Sequence, residues 1–288
     1  MSQAPNADRA LIDLVRRVDH NRFLCALFAP RERQAALFGL IAFNHEIARV
    51  RETVSEPLLG QIRLQWWREA IAGIYDGTPR RHEVVTPLAV AVHHHDLSRS
   101  HFDNLIDGRA RDLDDTPPAT MAELLSYVEA TAAPLGALMV EVLGAAGSLQ
   151  ALAAAKHSAI AYALIGLMRA LPFHARHSRL YAPVDRLAAH AVAQSDVLGG
   201  RFSPALGAVI GEVLALAEAH IAAARQSARG APSVARAALL PTSLAAMYGT
   251  RFRMVGNNPF DERLSIGPLK RQLALSIAHF SGRFCNPR

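Results

Sequence analysis

Apolar residues in this chain recur at steps of three and four through one long segment after another, which is the period of a helix. No stretch alternates apolar and polar residues with β-branched enrichment, so strands are not expected. Pro30 opens a predicted helix to about Val54, and Glu56-Pro57 closes it and starts the next. That one runs through QIRLQWWREAIAGIYDG to Gly77-Thr78-Pro79. Further helices are predicted over 98–113, 120–144, 148–175, 203–229, 233–255 and 266–280. Thr116-Pro117-Pro118, Gly230-Ala231-Pro232 and Gly256-Asn257-Asn258-Pro259 punctuate them as turns. Residues 1–288 read as a single domain without linker or repeat, with about 1–18 and 282–288 loosely attached.

The core of such a bundle has to come from Ala and Leu, because 51% of residues are hydrophobic and only 6% aromatic. Both favour helices, and Ala lets them approach closely. The formal charge of +6 suits an acidic partner such as a phospholipid surface, a diphosphate or nucleic acid. No motif interleaves aromatic and basic residues, which argues against nucleic acid. Cys25 reads as a core residue and Cys285 as part of the tail, with no disulfide framework or zinc site. The first residues lack an apolar signal-peptide core, and the apolar run 132–155, interrupted by Glu141, reads as a buried helix rather than a membrane span.

Four patterns, in order along the chain, resemble the squalene/phytoene synthase family. ALFGLIAFNHEIARVRETVSEP, residues 36–57, resembles its first aspartate-rich helix, and LQWWREAIAGIYDG, residues 64–77, the helix that follows. In LIDGRARDLDD…MAELLSYVEATAAPLGALM, residues 105–139, Tyr127, Ala132 and Gly136 fall on the family's positions. LIGLMRALPFHARHSRLYAP, residues 164–183, resembles the second aspartate-rich helix, with Arg169, Arg179, Tyr181 and Pro183 in register. The resemblance implies an isoprenoid-synthase-like helical bundle around a central cavity. It also implies head-to-head joining of prenyl diphosphates, in which carboxylate-bound magnesium neutralises the leaving group.

The residues depart from that chemistry. The family's aspartate positions hold Ala48, Arg49 and Glu52 in the first motif and Ala170, Phe173 and His174 in the second. A cavity lined by Arg49, Arg51, Arg68, Arg169, Arg176 and Arg179 would repel magnesium, so neither a metal site nor another cofactor is expected; magnesium belongs only to an active-enzyme reading. Glu46 and Glu52 are six apart and do not share a helical face.

Other residues have plainer readings beside functional ones. Asn44 reads as buried and bonded to a neighbouring helix, with His45 and Glu46 in water or at the cavity mouth. Adjacent Trp66 and Trp67 point about 100° apart on a helix, so one packs inward. Arg68 suits a surface ion pair, and Arg169, following an apolar run, calls for Glu52 or a bound phosphate. His93, His94 and His95 do not converge on one ion; His174 and His177 lack a third ligand; Asp112, Asp114 and Asp115 read as a helix end and loop.

Asn44, Arg49, Glu52, Arg68, Tyr127, Arg169, Arg176, Arg179 and Tyr181 are therefore the ligand-site candidates. AFNHEIARVRETVSEP and IRLQWW are most similar to the family branch that contains a respiratory complex I assembly factor. That branch implies a non-catalytic helper of NADH:quinone oxidoreductase assembly, in the cytoplasm against an anionic inner membrane. The alternatives are an active prenyltransferase with an altered site, or a metal-free binder of a prenyl diphosphate or lipid phosphate through arginines.

Overall fold

The computed structural model describes residues 4–284, and every regular element among them is helical. The first half comprises α1 (Ala4–Val18), α2 (His20–Ala26), α3 (Arg31–Ala48), α4 (Pro57–Tyr75), α5 (Val85–His95), α6 (Arg99–Ala110) and α7 (Met121–Val142). The second half comprises α8 (Leu149–Arg169), α9 (Leu171–Arg176), α10 (Val184–Ala189), α11 (Gln194–Leu198) and α12 (Pro204–Ala228). It ends with α13 (Arg236–Leu239), α14 (Pro241–Met254) and α15 (Pro268–Ser281).

Several starts are set by local chemistry. The side chains of Thr120, Ser148 and Ser203 accept from the backbone N–H of Glu123, Ala151 and Leu206, capping α7, α8 and α12. Pro172 ends the segment expected to run on from α8: α8 stops at Arg169, and a new helix starts at Leu171 with the proline in its first turn. Residues 4–18, read from sequence as loosely attached, form α1, whose Leu11 and Val15 are buried against α3. Cys285 lies outside the described residues.

Helix α8 runs through the middle, packed by α7, α12 and α14. It and α12 are long and apolar enough to cross a bilayer, yet both are built into the bundle. The α7–α8 approach is close because Gly136 has no side chain: a Cβ there would lie 2.9 Å from the Ala155 carbonyl oxygen. On the other wall, Phe43 of α3 meets Trp67 of α4 and Phe102 of α6 edge-on, at 5.5 and 5.4 Å between centroids. Trp66 stays half-buried against His82 and Arg80, so the tryptophan pair packs as its helical angle requires.

Gly166 is the opposite of Gly136. Its missing Cβ would meet nothing within 4 Å, so the central helix borders open space there. Gly136→Ala should therefore lower stability in urea unfolding by about 1–3 kcal/mol, through overpacking against backbone. Gly166→Ala should leave stability unchanged or raise it by about 0.5–1 kcal/mol, the helix-propensity gain.

Candidate functional site

Asp112 lies in the single 3-10 turn that follows α6, and its side chain is buried. Tyr127 of α7 donates to its Oδ1 at 2.6 Å and Tyr181 donates to the same oxygen at 3.0 Å. Arg109 donates to Oδ2 at 3.2 Å and to the Tyr127 hydroxyl at 2.9 Å. Arg179 donates to the Asp112 backbone carbonyl at 2.5 Å. Burial and the Asp112 charge push Tyr181 up to about 12, so the phenol stays protonated and keeps donating. His174 stacks edge-on against Tyr181, at 4.7 Å. Burial first, then the Arg179 guanidinium, lower its pKa to about 4, so it is neutral at neutral pH. A cleft of about 210 Å³ opens beside this node, lined by Arg111, Asp114, Asp115, Glu123 and Arg179 among others. Its carboxylates are already engaged: Asp115 pairs with Arg51, and Glu123 accepts from the Ala119 backbone.

A second feature occupies the open face of α8. Tyr162, Gly166, Arg169 and Ala170 follow at helical spacing and remain half-buried, although α8 is the central helix. Asn21 of α2 donates to the Tyr162 hydroxyl at 3.0 Å, and Arg271 of α15 donates to Asn21 Oδ1 at 2.8 Å. Arg22 lies over the Tyr162 ring and is neutralised by Asp19 at 2.8 Å. Arg169 stacks on Tyr248 of α14, 3.6 Å from the ring centroid. Among the described residues no carboxylate lies within 4.0 Å of Arg169 or Arg271, and Arg271 Nε is buried without a hydrogen-bond partner. Arg22 also borders a void of about 10 Å³, the room of one water, together with Cys25, Leu37, Met139 and Pro241. This half-buried stretch of α8, with open space at Gly166, is the α8 recess; Arg169 on it and Arg271, reached through Asn21, have no carboxylate partner among the described residues.

The structure sorts the expected site residues. Tyr127, Arg179 and Tyr181 converge on Asp112, and Arg169 lines the α8 recess. Arg169 does not pair with Glu52 as expected; the Tyr248 ring supplies its partner surface, and Glu52 is exposed. Arg49 is exposed beside Glu46, at 3.5 Å. Arg51 pairs with Asp115, Arg68 with the exposed Asp107 at 2.7 Å, and Arg176 is exposed past the recess. The six arginines thus do not ring one cavity. Asn44 is buried, but its Oδ1 lacks the expected hydrogen bond. Phe173 does not fill the recess; it is exposed, stacked near His177 at 4.5 Å. Asp112 is a node rather than a loop acid, and it, Asn21, Tyr162, Tyr248 and Arg271 were absent from the sequence candidates.

Magnesium does not fit this arrangement. At the degenerate positions Ala48 and Ala170 offer no donor, Arg49 is cationic, Phe173 points outward and His174 is packed against Tyr181. Glu52 is a lone exposed carboxylate, and Arg169, next to the second motif's positions, adds a cation stacked on Tyr248.

A profile describing squalene/phytoene synthases matches residues 15–272. The chain belongs to the squalene/phytoene synthase family. It is 31% identical over 281 residues to the Bos taurus protein named NADH dehydrogenase (ubiquinone) complex I, assembly factor 6, spanning 98% of this chain and 84% of that one. It is 26% identical over 281 residues to a phytoene synthase from Thermus thermophilus, spanning 96% and 93% of the two chains. Among solved structures, a dehydrosqualene synthase superposes with a TM-score of 0.84 at 15% identity, over 96% of each chain. A squalene synthase from Alicyclobacillus acidocaldarius gives 0.78 at 19%, over 88% of this chain and 96% of its own. These structures establish the squalene/phytoene synthase fold for this chain.

Two outcomes test this geometry. Asp112→Ala should cost about 3–5 kcal/mol in denaturant unfolding, since it leaves Arg109 buried without its anion, against about 1 kcal/mol for Tyr127→Phe. His174 has a folded pKa below its ordinary value of 6.5, so between those limits the unfolded chain binds more protons. Stability should be full above about pH 6.5 and fall as pH drops toward about 4, and His174→Asn should make that fall shallower.

Proposed function

We propose that this protein is a non-catalytic member of the squalene/phytoene synthase family that acts as an assembly factor for NADH:quinone oxidoreductase, at the surface of the membrane that holds the enzyme. The observation that carries the reading is that only Glu52 keeps a carboxylate among the six motif positions, in a chain alignable over 98% of its length with a complex I assembly factor. Ionising an allylic diphosphate without a metal would leave the departing charge to Arg169 and Arg271 alone. The partners in this reading are subunits or helpers of the oxidoreductase, no cofactor is required, and the place of action is the cytoplasmic face of the inner membrane.

A second reading is favoured by the two unpaired guanidinium groups. Arg169 and Arg271 suit the oxygens of a phosphate or diphosphate, with Asn21 and Tyr162 as polar neighbours. The protein would then hold a prenyl diphosphate or lipid phosphate without magnesium, as a ligand rather than a substrate.

Deleting the coding gene should lower the amount of assembled NADH:quinone oxidoreductase, and the wild-type gene should restore it. Farnesyl and geranylgeranyl diphosphate with magnesium should yield no product; magnesium-dependent turnover would sink the reading in favour of an active prenyltransferase. Calorimetry with the same diphosphates in chelator separates the second reading. Binding that Arg169→Ala or Arg271→Ala weakens by roughly tenfold or more supports it, and no binding ends it.

A further inference from the structure

Helix α15 is apolar on two faces. Ala274, Leu275 and Ala278 turn inward and are buried. Leu269, Leu273, Ile277 and Phe280 follow at steps of four, four and three, which places them on one stripe. These four are 80%, 62%, 46% and 77% exposed. Phe28, at the end of α2, lies against His279 at 5.1 Å, and the exposed Leu27 beside it extends the patch. Taking about 200 Å² for each large side chain, the stripe leaves on the order of 500 Å² of apolar surface in water, the upper end of what an ordinary monomer shows.

The charges beside it choose the occupant. From Leu264 to Phe284 there is no Asp or Glu, while Lys270 and Arg283 stand exposed at the two ends of the stripe. Arg271 is turned inward to Asn21, and Arg236 donates to the His279 carbonyl, so neither brings a carboxylate into the patch. The other exposed apolar cluster, Leu58, Leu59 and Ile62 on α4, is interleaved with Glu56, Gln61 and Arg63 and lacks this one-signed frame. An apolar stripe without acids, ended by cations on long stems, fits the boundary between acyl chains and anionic headgroups.

We propose that α15 is the surface by which this protein lies on an anionic bilayer, with Leu269, Leu273, Ile277 and Phe280 entering the acyl boundary and Lys270 and Arg283 reaching the headgroups. The assignment rests on the membrane-surface part of the proposed function and gives it a location on the molecule.

Flotation of the full chain with vesicles tests it, using phosphatidylcholine alone or mixed with phosphatidylglycerol. The protein should float with the anionic vesicles and release as salt rises. Leu273→Ser with Phe280→Ser should weaken binding by roughly tenfold or more, Lys270→Gln and Arg283→Gln by roughly fivefold each. Val90→Ser, an equally exposed apolar residue on α5, should change nothing. Because all these side chains are exposed, unchanged melting of each variant separates lost docking from lost folding. No binding to anionic vesicles, or equal binding by the α15 double variant, overturns the proposal. So does self-association of the wild type that the double variant abolishes without vesicle binding, since a second copy would then cover α15. Loss of vesicle binding in a double variant that still restores oxidoreductase assembly would confirm the surface and show that the assembly role does not need it. Failed complementation by the wild type would instead count against the proposed function.

Discussion

The carboxylate of Asp112 is largely withdrawn from water, and side chains from three separate stretches close around it. Arg109 arrives from α6, Tyr127 from α7, and Tyr181 with Arg179 from the segment after α9. A buried anion is tolerable only when such partners are in place, so the node fixes where the chain must run after the second motif. His174 is packed against Tyr181 as a result, so the segment of the second motif is held by the node. The turn at Pro172 lets that segment leave the line of α8 and reach Asp112.

The family's architecture is kept here with a different set of charges. Where carboxylates and dications would balance one another, the bundle carries guanidinium groups balanced in other ways. Arg22 has Asp19, Arg169 has the face of Tyr248, and Arg271 has the amide oxygen of Asn21. Only the first is a full neutralisation. An aromatic face and a neutral amide return less than an ion pair would, and the proposed anion-binding reading draws on that shortfall.

Much of the fold was legible because its signals are local. Thr120, Ser148 and Ser203 each cap a helix from one residue's side chain, and the apolar period names the elements between them. Contacts without a local signal were not legible. Asn21 and Arg271 are 250 residues apart and meet only when α15 folds back beside α2. Asp112 looked like its neighbours Asp114 and Asp115, because only burial distinguishes it from them. Arg169 was expected to find Glu52, and what overrode the ion pair was a tyrosine about 80 positions downstream. Tyr162 was within reach of sequence reasoning: it stands four residues before Gly166 and seven before Arg169, on one face.

Helix α15 is attached by modest means. Its inward side presents one leucine and two alanines, and its ends are tied through the Arg271–Asn21 bond and the Arg236 and Arg225 bonds to the carbonyls of His279 and Phe284. Polar ties of this kind exchange with water at little net cost, so α15 should open before the centrally packed α8 does. When it parts, Arg271 goes with it, and the recess loses a wall and half of its unpaired charge together. Anion binding, in the proposed second reading, would thus depend on the docked C-terminal helix through the Arg271–Asn21 bond.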